Sequence, residues 1–172
     1  MKITDTYRKV RELQYLDPQN DVEVAMHAPM VSEIINRLKV SELLGYWCGR
    51  AQLFQKLRVG HDLKLQCYDP AIPGFAGEAI PMQMVVCVDV LQDVEPECLD
   101  AVLDDLKRVT EVVGYFSIRQ DEDTPLISKD KAWWLDRIMT RWDLHTLQTT
   151  PSGFFVIVYA HPKPILDTVT VN

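Results

Sequence analysis

The chemistry-bearing residues of this chain fall where apolar runs end. In LLGYWCGRAQL, Leu43 to Leu53, a strand-like run passes through Gly45 and Gly49 into residues of helical character. A strand that enters a helix through a glycine loop can hold a phosphate or nucleotide, because backbone N–H groups face the ligand and small residues let it approach. Trp47 and Ala51 stand where such a loop would be expected to carry glycine. Asp69 closes LKLQCYD, and Asp89 to Asp93 follow the run MVVCV. Each carboxylate can meet a ligand at a strand end; Asp69 before Pro70 can equally form a turn, and Asp89 can accept backbone hydrogen bonds. His27, His61, His145 and His161 are scattered, with no HExxH or Cys/His cluster, so no metal centre is expected. No GxSxG elbow or Ser/His/Asp arrangement appears, and no catalytic residue is assigned. His145 and His161 read as surface residues. Asp104 and Asp105 read as solvated charge on the polar side of a helix.

The elements that must position these residues alternate in period. Val31, Ile34, Ile35 and Leu38 follow helical spacing, with Pro29 in the first turn. ELLGYW reads as a strand, QLFQKL as a brief helix and LKLQCY as a second strand. Met84 to Leu91 is nearly all apolar, as in a strand covered on both faces of a parallel sheet. Pro96 opens a helix with a stripe of Leu99, Val102, Leu103, Leu106 and Val109, and Val112 to Ile118 gives another buried strand. Asp130 can cap a helix in which Trp134, Ile138 and Trp142 recur. Leu144 to Gln148 and Phe154 to Ala160 flank TTPSG and read as an antiparallel hairpin.

This order predicts an α/β fold: a Rossmann-like, doubly wound, mainly parallel sheet closed by a C-terminal antiparallel hairpin. Ligands of such sheets bind outside the carboxyl ends of the strands, at the switch point. The organisation expected is an N-terminal extension over 1–26, one domain over 27–162 and a tail over 163–172 that is either disordered or adds an edge strand to a partner chain. No internal repeat is present.

Composition limits the function classes. With 172 residues, 47% hydrophobic and 25% charged, the chain is long enough for one well-packed core. A net charge of −7 argues against a nucleic-acid partner, since phosphate contacts need Lys and Arg. Arg50, Lys56 and Arg58 read as a solvated helix face. The expected partner is a small molecule or a protein, a second copy of this chain included. No apolar run reaches the roughly 20 residues of a membrane span, and the charged N-terminus does not read as a secretory signal, so a cytoplasmic location is expected. Cys48, Cys67, Cys87 and Cys98 include no CxxC and read as reduced thiols.

The loop GYWCGRAQL, the segments YDPAIPGFAG and VVCVDVLQDVEPECLDAVLDDLKRVT, and the closing WWLDRIM and FFVIV together resemble compact class I S-adenosylmethionine (SAM)-dependent methyltransferases of bacteria and bacteriophages, over about residues 27 to 160. The resemblance implies SAM as cofactor, held or lost. The family's first strand ends in an acidic residue followed by GxGxG; the acid falls on Gly45 and the glycines on Trp47, Gly49 and Ala51. Asp69 matches the acidic residue that contacts the ribose hydroxyls, and Asp89 matches the acid of the family's DVLEH, here DVLQD. The residues implied for the cofactor are thus Gly45, Trp47, Gly49, Asp69 and Asp89. An indole at position 47 on the family's loop course would fill cofactor volume, unless the loop has rotated to set it against the adenine. The family's Asn-Ala-His-Leu-Ile stretch is reduced to Leu126 and Ile127 within DTPLISKDKAWW. The thirteen residues AIPGFAGEAIPMQ are too few for the usual third strand and its helix. Two functions follow: a methyltransferase acting on a small molecule or protein, or a methyltransferase-fold protein that has lost the cofactor and serves as a partner subunit or binding module.

Overall fold

A computed structural model describes residues 2–14, 26–120 and 125–161. Helix α1 spans Asp5–Gln14 and α2 spans Ala28–Leu38, with Pro29 in its first turn. Strand β1 (Glu42–Tyr46) leads through a short loop to α3 (Gln52–Lys56) and then β2 (Lys64–Tyr68). Strand β3 (Met82–Val88) is followed by two 3-10 turns, Leu91–Asp93 and Pro96–Cys98, and by α4 (Leu99–Val109). The chain ends in β4 (Thr110–Arg119), α5 (Lys131–Met139), β5 (Asp143–Thr150) and β6 (Gly153–Tyr159).

The six strands form one sheet in the order β2-β1-β3-β4-β6-β5. β1 pairs in parallel with β2 and β3, β3 pairs in parallel with β4, and β6 runs antiparallel to both β4 and β5. The chain builds outward from β1 to β2, then crosses back to begin the other half at β3. In sheets of this order ligands bind at the carboxyl ends of the strands that flank the reversal, here β1 and β3. The direct passage from β2 to β3 carries no strand or helix, as the short connection requires.

Each face of the sheet has its own apolar layer because residues alternate along buried strands. Met84, Val86, Val113 and Tyr115 pack with α2 and α3. Cys87, Phe116, Val156 and Val158 pack with α4, α5 and Ile3 of the N-terminal segment. Asp130 caps α5 by accepting the Trp133 N–H at 2.8 Å. α5 stops at Met139, one turn earlier than the tryptophan spacing suggests. Trp142 lies beyond it, yet the turn returns its indole to the same core, edge-on to Phe116 at 5.0 Å. Residues 163–172 lie outside the described residues. No helix among the described residues is long and apolar enough to cross a membrane.

Candidate functional site

The loop leaving β1 carries left-handed backbone at alternate residues: φ is 54° at Trp47, 53° at Gly49 and 59° at Ala51. These are the three positions on which the glycine pattern falls. Left-handed backbone costs a residue with a Cβ about 1–2 kcal/mol, so the surroundings must hold it. The Cys48 N–H donates to the Tyr68 carbonyl at 3.2 Å, and the Ala51 N–H to the Cys48 carbonyl at 2.9 Å. Trp47 is only 3% exposed and belongs to the core, with the Arg11 guanidinium 6.0 Å from its ring centre. Its Nε1 has no hydrogen-bond partner among the described residues.

Gly45 has no room for an acid. A Cβ there would meet Phe54 Cζ at 2.8 Å and Cys48 Cβ at 3.0 Å, so the chain's own side chains fill the place where the resemblance puts a carboxylate.

Asp69, just past β2, is fully buried. Its Oδ2 accepts the Gly49 N–H at 3.0 Å and its Oδ1 accepts the Ala71 N–H at 2.9 Å. The carboxylate therefore ties the β1 loop to the turn after β2. The turn reading is also realised, with the Ile72 N–H donating to the Asp69 carbonyl at 3.2 Å.

Asp89, just past β3, has φ 54°. Its Oδ1 accepts the Ser117 hydroxyl at 2.6 Å, and its Oδ2 lies 3.5 Å from His27 Nε2. His27 Nδ1 is 2.7 Å from the Tyr115 hydroxyl. Burial, then the Asp89 charge, pushes the Tyr115 hydroxyl well above its ordinary range, so it keeps its proton. Donation from that hydroxyl to Nδ1 leaves the Nε2–H facing Asp89, the tautomer that avoids setting a lone pair against a carboxylate. In the sequence His27 is one of four scattered histidines. Its partner Tyr115 lies 88 residues away, and no local spacing signals the contact.

The N-terminal segment closes over the same corner. The Thr4 N–H and hydroxyl donate to Glu95 at 2.8 and 2.6 Å, the Tyr7 hydroxyl donates to the Asp93 carbonyl, and Arg11 pairs with Asp93 at 3.5 Å. Burial raises the Asp93 carboxyl despite Arg11 and Arg119. Lys2 reaches Asp105 at 2.7 Å. Asp105 also accepts the Tyr46 hydroxyl at 2.7 Å and is 9% exposed, so the solvated-charge reading is corrected for this residue. Across the β4 end, Arg119, Gln120, Ile127, Lys129 and Asp130 line a recess of about 270 Å³.

The strand order and the pairing directions are those of the class I methyltransferase fold, and solved structures bear this out. The chain is similar to magnesium protoporphyrin IX methyltransferase from Synechocystis PCC 6803 with bound SAH, at 13% identity and TM-score 0.60, covering 82% of this chain and 85% of that one. It is similar to a SAM-dependent methyltransferase from Aquifex aeolicus at 15% identity and TM-score 0.53, covering 75% and 88%. An O-methyltransferase family protein from Burkholderia thailandensis superposes at 11% identity and TM-score 0.58, covering 85% of this chain and 61% of that one. No protein-family model matches the sequence, and no curated protein matches it.

Proposed function

We propose that this chain is a SAM-dependent methyltransferase of compact form, taking SAM at the carboxyl ends of β1, β2 and β3 and a small molecule or protein as acceptor. The observation that carries this reading is the backbone of the β1 loop. Positions 47, 49 and 51 are all left-handed although two of them bear side chains, so the course that brings backbone close to a ligand is kept against its cost. SAM, when bound, supplies an electrophilic methyl group. Gly49 and the loop backbone would hold its methionine part, and Asp69 and Asp89 follow the strand ends at which it would lie. The chain's own contribution is orientation and exclusion of water, the former helped by the rigid strand ends. No side chain is assigned to proton transfer.

A second reading is favoured by a different observation. The Trp47 indole is buried beside the loop, and both Asp69 oxygens already accept backbone N–H groups, so the described conformation offers the ribose no open carboxylate. On that reading the corner is filled by the chain itself, and the protein is a non-catalytic partner subunit or binding module.

Calorimetric titration of the purified protein with SAM and with SAH separates the two. Micromolar binding supports the methyltransferase reading. Absence of binding in the wild type, with recovery in Trp47→Gly combined with Ala51→Gly, supports the lost site. Gly45 is left unchanged in that variant because a side chain there collides with Phe54.

A further inference from the structure

The geometry points to Cys48 and Cys67 as a modification site, a dithiol that peroxide closes into an intramolecular disulfide across the β1 loop. Gly45 and Cys67 are Cα partners in the parallel pairing of β1 and β2. Their side-chain positions therefore point to one face, on strands about 4.8 Å apart. The Cβ of Cys48 folds back to within 3.0 Å of where a Gly45 Cβ would stand, so it lies beside Cys67 in space that Gly45 leaves open. The Cys48 N–H bond to the Tyr68 carbonyl fixes this return of the chain onto β2. Cys48 thus sits in the loop just past β1 and Cys67 on β2, and closing the bridge requires their Cα atoms to come within about 7 Å.

The pair is also polarised for the reaction. The Cys48 S–H faces the Gly49 carbonyl at 3.6 Å; interaction with Cys67, ahead of burial, pushes the Cys48 thiol up, and interaction with Cys48 holds the Cys67 thiol below its ordinary value against burial. Both side chains are half-buried, whereas Cys87 and Cys98 are buried. Cys67 is thus the attacking thiolate. Its sulfur takes one oxygen of hydrogen peroxide, the O–O bond breaks, and the departing hydroxide gains a proton to become water. The Cys48 thiolate, its proton given to solvent, then attacks the Cys67 sulfenic acid; the S–S bond forms, the S–O bond breaks, and the second oxygen leaves as water. Two thiols lose two electrons and two protons, and peroxide is reduced to two waters.

This inference does not rest on SAM binding, because its test reads sulfur. The reduced protein is treated with hydrogen peroxide, alkylated without reductant and mapped by mass spectrometry, with free thiols counted after denaturation. The thiol count should fall from four to two, with the Cys48 and Cys67 peptides joined. In Cys48→Ser, dimedone should trap a sulfenic acid at Cys67; in Cys67→Ser, Cys48 should stay unmodified. Circular dichroism confirms that both variants fold. Retention of all four thiols, over-oxidation of Cys67 without a link, or links only between molecules would overturn the proposal.

Discussion

At Gly45 a side chain has no room, whereas at Ala51 a side chain sits on backbone that disfavours one. The two positions lie on the same loop and should respond in opposite directions. Gly45→Ala places a methyl 2.8 Å from Phe54 Cζ and 3.0 Å from Cys48 Cβ. The phenyl ring can shift but the Cys48 Cβ is held by its backbone, so overpacking of about 1–3 kcal/mol is expected. Ala51→Gly removes a left-handed penalty of about 1 kcal/mol and adds some freedom to the unfolded chain, for a net gain of about 0.5 kcal/mol. Urea unfolding of both variants checks the pair; midpoints that move the same way would contradict it. Trp47 obeys the same backbone rule with a different balance, since losing a buried indole costs about 3–5 kcal/mol against about 1–2 recovered from the backbone. The residue at 47 therefore persists through packing, which is why its burial bears on cofactor binding.

Among the elements, α5 begins at a single capping carboxylate, Asp130. Asp130→Ala should cost about 1 kcal/mol, which for a chain of this size lowers Tm by about 2–4 °C; an unchanged Tm in a thermal melt would show that packing of Trp134 alone sets the helix start. α1 depends on Glu95, which accepts both Thr4 donors. Glu95→Ala should speed amide hydrogen exchange in α1 and leave β3 and β4 protected, whereas slowed or unchanged exchange in α1 would refute the clamp. The elements themselves were legible because period and turn chemistry are local. The continuous apolar run gave β3, the Pro151–Gly153 turn gave the hairpin, and the short link after Asp69 gave the missing strand. Boundaries were less legible: Leu91 lies in a 3-10 turn beyond β3, and Trp142 lies past the helix that its spacing suggested. In the site, strand-end residues could be picked out, and the three loop positions share one backbone state. What those side chains touch could not be read. Tyr46 meets Asp105 across 59 residues and His27 meets Tyr115 across 88, and no periodicity encodes such pairs.

Across the whole molecule, Asp105 joins parts of the chain that are remote in sequence. It receives Lys2 of the N-terminal segment, the Tyr46 hydroxyl of β1, and Arg108 of its own helix at 2.8 Å. Burial raises its carboxyl pKa, but the hydrogen bonds from Lys2, Tyr46 and Arg108 outweigh burial and hold it below the ordinary value of 3.8. A folded-state pKa below the unfolded one means that ionised Asp105 stabilises the fold; the contribution is complete above 3.8 and is lost as pH falls through the lower, folded value. Asp93 has the opposite sign. Burial lifts its carboxyl above 3.8 in the folded state, so its ionisation opposes folding, and that penalty appears as pH rises from 3.8 through the raised value. The difference in unfolding free energy between wild type and each variant, followed by urea titration across pH, isolates each group from the other carboxylates. For Asp105→Asn the wild type's advantage should be largest near neutral pH and shrink below 3.8. For Asp93→Asn the comparison should move in the variant's favour as pH rises through the window above 3.8, on top of a pH-independent loss of contacts with Arg11 and Arg119. Parallel curves for the two variants would show that neither carboxylate is perturbed as its surroundings require, and the network binding the N-terminal segment to the sheet would have to be assigned to apolar contact through Ile3 instead.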